Sequence, residues 1–146
     1  MELLAGNLFC TPCPTATFSL AGQACSVCAS GSYPTTDKTG CVPCDAGKFA
    51  NMLVISDASQ CAACAEGTYS TVPGLDDAEK CVKCSPGKMG TGEGRNASDS
   101  CADCSVGTFT NRPGQTSCTA CDPGMVTNGT GQTFCSICDA GESLLL

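Results

Sequence analysis

Sixteen cysteines stand in 146 residues, and every one belongs to a C-x-x-C pair: Cys10/Cys13, Cys25/Cys28, Cys41/Cys44, Cys61/Cys64, Cys81/Cys84, Cys101/Cys104, Cys118/Cys121 and Cys135/Cys138. Two thiols at this spacing can hold half a zinc site, form a redox centre, or anchor disulfides. Zinc takes four thiolates, so eight pairs could frame four sites. Intracellular zinc modules usually add histidine and basic residues, and this chain has no histidine and only seven Lys and Arg. A redox pair needs its thiolate stabilised by a helix N-terminus or by cations. No stretch here carries a sustained helical period. Disulfides are the chemistry that remains, and one cysteine in nine residues is the usage of a disulfide scaffold. No metal, cofactor or catalytic constellation is expected.

The elements that position these pairs follow from a repeat. First cysteines are 15, 16, 20, 20, 20, 17 and 17 residues apart. Three residues after the second cysteine comes glycine, at Gly31, Gly47, Gly67, Gly87, Gly107, Gly124 and Gly141, with Ala16 the exception. Two residues further on stands a large apolar side chain: Phe18, Tyr33, Phe49, Tyr69, Met89, Phe109 and Val126, with Ser143 breaking the series. Glycine admits the positive φ of a sharp turn after each pair. The aromatic then shares a face of a short extended segment with that glycine and can cover a neighbouring disulfide. The variable middles, such as STVPGLDDAEK (70–80), read as hairpin loops, and GQAC, GQTSC and GQTFC as turns before the next pair. Each unit is therefore two short strands, a loop and a staple. Ala16, Met89 and Val126 are expected to alter local packing only.

The fold class expected is a small disulfide-rich repeat protein: an elongated rod of short β-hairpin units stapled by disulfides, without a common hydrophobic core and with little helix. Each unit should touch mainly its neighbours. There is no tryptophan, with only five Phe and two Tyr, so burial cannot offset the chain's conformational entropy without cross-links. The net charge of −7 argues against nucleic acid and anionic membranes as partners. No apolar run approaches the roughly 20 residues of a membrane span.

The pattern C-x-x-C-x-x-G-x-[FY]…G-x-x-C-x-x-C resembles the ephrin-receptor-like cysteine-rich repeat of extracellular eukaryotic proteins. It is also similar to the first module of tumour necrosis factor receptor repeats and, more loosely, to CxxC-rich surface proteins of parasitic protists. The resemblance spans the whole chain as one tandem array of about eight repeats over residues 1–146, with units starting near Cys10, Cys25, Cys41, Cys61, Cys81, Cys101, Cys118 and Cys135. It implies that the second cysteine of each pair joins the first of the next: Cys13–Cys25, Cys28–Cys41, Cys44–Cys61, Cys64–Cys81, Cys84–Cys101, Cys104–Cys118 and Cys121–Cys135. Each such bond would stabilise by about 3 kcal/mol through loop closure. Spacing alone leaves open a parallel pairing, Cys10–Cys25 with Cys13–Cys28 and so on.

Under the first pairing Cys10 and Cys138 are left over, as possible inter-subunit links. GNLFC (6–10) matches the closing half of a repeat, GQTFC (131–135). CDAGESLLL (138–146) matches an opening half, CDAGKFANM (44–52). The expectation is that residues 1–10 meet residues 138–146 of a second copy, or of a continuing array, with Leu3, Leu4, Leu8 and Phe9 against Leu144, Leu145 and Leu146. The function expected is a structural extracellular protein, a subunit or segment of a cell-surface or secreted filament, stalk or coat. The alternative is a ligand-binding segment of a cysteine-rich receptor, for which the acidic loop GLDDAEK (74–80) is the nearest candidate site. Neither reading is an enzyme. Asn96-Ala97-Ser98 and Asn128-Gly129-Thr130 are N-glycosylation sequons, so Asn96 and Asn128 are expected glycan acceptors in an extracellular or cell-surface setting.

Overall fold

The structure, a computed structural model, describes residues 10–141. The leucine-rich tips singled out above, and Ser143, lie outside those residues.

Short strands pair into seven antiparallel hairpins among the described residues. Hairpin 1 joins β1 (Thr17–Phe18) to β2 (Ser26–Val27), and hairpin 2 joins β3 (Ser32–Pro34) to β4 (Cys41–Pro43). Hairpin 3 joins β5 (Lys48–Phe49) to β6 (Ala62–Ala63), hairpin 4 joins β7 (Thr68–Tyr69) to β8 (Val82–Lys83), and hairpin 5 joins β9 (Lys88–Met89) to β10 (Ala102–Asp103). Hairpin 6 joins β11 (Thr108–Phe109) to β12 (Thr119–Ala120), and hairpin 7 joins β13 (Met125–Val126) to β14 (Ser136–Ile137). A hairpin of two-residue strands is not stable alone in water. Here a disulfide closes each one: Cys13–Cys25, Cys28–Cys41, Cys44–Cys61, Cys64–Cys81, Cys84–Cys101, Cys104–Cys118 and Cys121–Cys135.

The difference between the 20-residue and shorter spacings has a structural form. Hairpins 3, 4 and 5 each fold their extra residues into a 3-10 turn, Ala58–Gln60, Ala78–Lys80 and Ser98–Ser100, directly before the closing cysteine. Asp57 and Asp77 cap the first two by accepting the N–H of Ser59 and Glu79, each at 2.8 Å. An N-cap carboxylate satisfies a donor that the turn leaves unpaired.

The core is divided, not shared. Tyr33 of hairpin 2 packs on Cys44, Ala50, Ile55 and Cys61, so it covers the staple of hairpin 3. Phe49 of hairpin 3 packs on Cys64, Leu75 and Cys81, the staple of hairpin 4. The aromatic of one unit thus shields the disulfide of the next. The side chains with almost no exposure are cysteines, Cys44, Cys64, Cys84 and Cys104. The chain exposes 9810 Å², where a compact monomer of this length would expose roughly 6,900 Å². That excess is the mark of an extended array. No helix among the described residues is long and apolar enough to cross a membrane.

Candidate functional site

What makes seven separate hairpins into one object is a recurring set of backbone hydrogen bonds, here called a clasp. Around Gly31 it has four members. Gly31 donates to the Ala50 carbonyl (3.0 Å), and Cys44 donates to the Gly31 carbonyl (2.8 Å). Ala50 donates to Leu75 (2.9 Å), and Gly74 donates to Cys44 (2.7 Å). Residues of hairpins 2, 3 and 4 meet in it, so each clasp ties a unit to the two that follow. The same four bonds recur around Gly67 through Cys84, Gly90, Gly114 and Gln115, and around Gly87 through Cys104, Thr110, Gly131 and Gln132. Around Gly47 three recur, from Cys64, Ser70 and Gly94. Parallel bridges Phe49–Leu75, Tyr69–Arg95 and Met89–Gln115 belong to the same seams. The expectation of contact mainly between neighbours is thereby extended to the second neighbour.

The clasp explains why glycine follows each pair. Gly31, Gly47, Gly67 and Gly87 have φ between +75° and +83°. A Cβ on any of them would also fall inside 3.0 Å of a loop carbonyl oxygen, that of Gly74, Gly94, Gly114 and Gly131 respectively. Real Cβ atoms do not come so close to a carbonyl oxygen. The glycine is thus a turn residue and a landing place at once. The landing loops are themselves glycines at positive φ. Ala50, Gly90 and Thr110 supply both N–H and C=O to the seam and Ser70 its N–H, and all four are small and buried there.

Hairpin 1 departs. Its clasp glycine is Ala16, held at φ +65° with its Cβ in place. The landing position in the loop of hairpin 3 is Val54, and the central donor is Pro34, which has no N–H. No backbone bond from Ala16, Cys28 or Val54 takes the clasp's place among the described residues. The alanine therefore changes more than the local packing expected of it.

The remaining predicted residues sit as follows. Asn96 and Asn128 are both exposed, Asn96 in the loop of hairpin 5 and Asn128 just beyond β13. Cys10 and Cys138 are free thiols, Cys10 exposed and Cys138 half-buried. In the acidic loop of hairpin 4, Asp76 pairs with Lys80 at 2.6 Å and Asp77 is spent on its cap. The Lys80 hydrogen bond, helped by its charge, holds the Asp76 carboxyl below the usual carboxylate range. These carboxylates serve the loop's own shape.

Residues 90–138 match the family model described as tyrosine-protein kinase ephrin type A/B receptor-like. The match and the seven disulfides fit an ephrin-receptor-like cysteine-rich repeat. The matched stretch contains the loop of hairpin 5 and hairpins 6 and 7, and hairpins 2 to 4 repeat its staples. A comparison with curated proteins gave no match. The family is a receptor-like cysteine-rich module rather than an enzyme family. Such repeats, in a chain this dense in disulfides, are typical of extracellular domains.

Two features escaped the sequence. The loop glycines Gly74, Gly94, Gly114 and Gly131 were visible as turn residues, but their partners lie 43 to 47 residues back. The 3-10 turns carried a signal in Asp57 and Asp77 two residues before Ser59 and Glu79, which the lack of helical period obscured.

Proposed function

We propose that this chain is a structural extracellular rod, a unit of a filament, stalk or coat in which one copy follows another head-to-tail. The observation that carries the reading is the state of the clasp glycines along the array. Gly31, Gly47, Gly67 and Gly87 each carry a loop, whereas Gly107 (φ +81°) and Gly124 (φ +86°) hold the same conformation with no described residue within 4 Å of the Cβ position. At the other end Gly22 (φ +77°) has the conformation of a landing loop and likewise meets no described residue within 4 Å. Under the clasp rule, the Gly22 loop of a second copy donates to the Cys138 carbonyl, rests on Gly124 and covers Ile137, the position that Pro43, Ala63, Lys83 and Asp103 hold beneath Gly74, Gly94, Gly114 and Gly131. Ile137 is 70% exposed and Phe134 beside it 65%, while Leu20 and Val27 are 54% and 52% exposed. Those apolar side chains would cover one another. The match of residues 1–10 and 138–146 to half-repeats supports the same register, with Cys10 and Cys138 brought together.

The test is electron microscopy of protein from a secreting eukaryotic host, with intact mass measured before and after glycosidase. Filaments are expected, with a mass loss that reports glycans on Asn96 and Asn128. Single short rods at high concentration would refute head-to-tail assembly. They would favour the second reading, a receptor ectodomain segment, which the receptor-like family match supports. Cys10→Ser with Cys138→Ser separates a covalent joint from a non-covalent one. Filaments of that variant that survive boiling in detergent without reductant would exclude the disulfide.

A further inference from the structure

Three positions of one clasp are changed together. Ala16 puts a Cβ where a loop carbonyl would land, Val54 replaces the landing glycine, and Pro34 removes the central donor. One such change would weaken a seam, and three leave none of it. The loop of hairpin 3 still seats its apolar residue, since Ile55 is buried on Cys44, Ala50 and Cys61 much as Leu75 is on Cys64 and Cys81. What is missing is two backbone bonds between hairpins 1 and 2 and two between hairpins 2 and 3, and hairpins 2 and 3 keep the bonds that Gly31 makes with Ala50 and Cys44. The residues before Ile55, Met52, Leu53 and Val54, are 51%, 76% and 51% exposed.

A cleft of about 440 Å³ opens at this place, lined by Thr15, Ala16, Tyr33, Lys38, Asp57 and Ala58 among others. Its charged groups are already engaged. The Lys38 ammonium donates to the carbonyls of Cys13 and Pro14. The Asp57 carboxylate accepts from Ser59 and Ser56. The cleft therefore offers mostly apolar wall with its lysine and aspartate spent on the fold, as a moving seam would leave it.

Hairpin 1 keeps one backbone bond of the array, from the residue after its aromatic to the next loop, as Ala50 bonds Leu75. Ser19 donates to the Lys38 carbonyl at 3.0 Å. The Lys38 side chain reaches the Cys13 carbonyl, the acceptor position that loop glycines fill at Cys44, Cys64, Cys84 and Cys104. A flexible ammonium arm thus stands in for a backbone bond. Lys38 itself sits at φ +57°, in a turn fixed by Asp37, which accepts from Thr35 (2.6 Å) and from Thr39. Both attachments reach hairpin 2 only, and none reaches hairpin 3.

We infer that the array has a hinge coded into its sequence: hairpin 1 swings on hairpin 2 about Lys38, while hairpins 2 to 7 move as one clasped piece. The inference is independent of head-to-tail assembly, since it concerns residues inside one chain. Hydrogen exchange resolved to single amides tests it on the disulfide-intact protein. The amides of Ala16, Cys28 and Val54 should exchange at least about tenfold faster than their clasped equivalents Gly31, Cys44 and Gly74, because local opening sets protection. Equal protection at the two sets would overturn the hinge. The triple variant Ala16→Gly, Pro34→Ser, Val54→Gly restores the clasp residues. It should slow exchange at positions 16, 28 and 54 by about the same factor, with hairpins 4 to 6 unchanged. A folded triple variant with no slowing would refute the assignment to these three residues. If its thiol titration shows that it has not formed its disulfides, the comparison within the native chain decides alone.

Discussion

Hairpins 1 and 4 carry the same staple and differ in most of what attaches them. Cys13–Cys25 and Cys64–Cys81 join strands of equal length with Cα separations of 5.6 and 5.9 Å. Hairpin 4 is clasped on both sides: its loop lands on Gly31, and its own glycine, Gly67, receives Gly114. Hairpin 1 has Ala16 and a lysine arm. The disulfide therefore makes a hairpin, and the clasp makes the array. A cysteine count speaks to the first and is silent on the second.

The largest expected effect comes from removing each staple in turn. Loss of either disulfide costs about 3 kcal/mol by loop closure. The consequences should spread differently. Cys64→Ser with Cys81→Ser should expose amides of hairpins 3 and 5 as well as 4, because the aromatic seat of Phe49 and three clasps depend on that hairpin. Cys13→Ser with Cys25→Ser should leave hairpins 3 to 7 as protected as before. Hydrogen exchange measures both. Equal spread from the two variants would mean that the clasps carry no coupling.

A smaller effect separates the two duties of glycine. Gly67 and Gly107 share the left-handed conformation, at φ +75° and +81°, but only Gly67 has a carbonyl against it. Gly107→Ala should cost about 1–2 kcal/mol, the penalty of that conformation alone. Gly67→Ala should cost about 3–5 kcal/mol, since the clash adds an overpacking term and lengthens the seam bonds. Calorimetric melting of the two variants checks this. Similar melting temperatures would show that the turn matters and the landing does not.

How much of this the sequence carried depends on the reach of each feature. The hairpins were legible because their determinants are local: cysteine, glycine two positions before the aromatic, and a polar loop all lie within one unit. The aromatic cover was legible for the same reason, since Tyr33 and Cys44 are neighbours along the repeat. The clasp was not, because the Gly31 turn and the Gly74 loop that lands on it are separated by a whole hairpin. Gly74 looks like any turn glycine until its partner is seen. Pro34 passed unnoticed for a related reason. A proline at the end of an edge strand is unremarkable, and only the donors of Ala50, Ser70 and Thr110 at that position give its missing N–H a meaning.

The smallest effect tests the comparison with protons. Asp37 and Asp76 both have carboxyls held below the usual carboxylate range, Asp37 by hydrogen bonds from Thr35 and Thr39 and Asp76 by Lys80. A carboxyl whose folded pKa is depressed stabilises the fold above its unfolded pKa, and that stability is lost as pH falls through the folded value. Both groups are exposed, so the effect on global stability is small. The local consequences should nevertheless differ. Protonating Asp76 loosens a loop that Leu75 and the Gly74 clasp still pin. Protonating Asp37 loosens the turn that presents Lys38, and Lys38 takes both of the bonds that hold hairpin 1. Titration from neutral pH to below the carboxylate range should therefore shift the amide signals of Ser19 and Thr39 and raise exchange across hairpin 1, with Gly74 and Leu75 little changed. Asp37→Asn should give the hairpin 1 response at neutral pH and remove its acid dependence. Acid loosening of the two loops to the same degree would show that the clasp does not hold hairpin 4 against the loss of its ion pair.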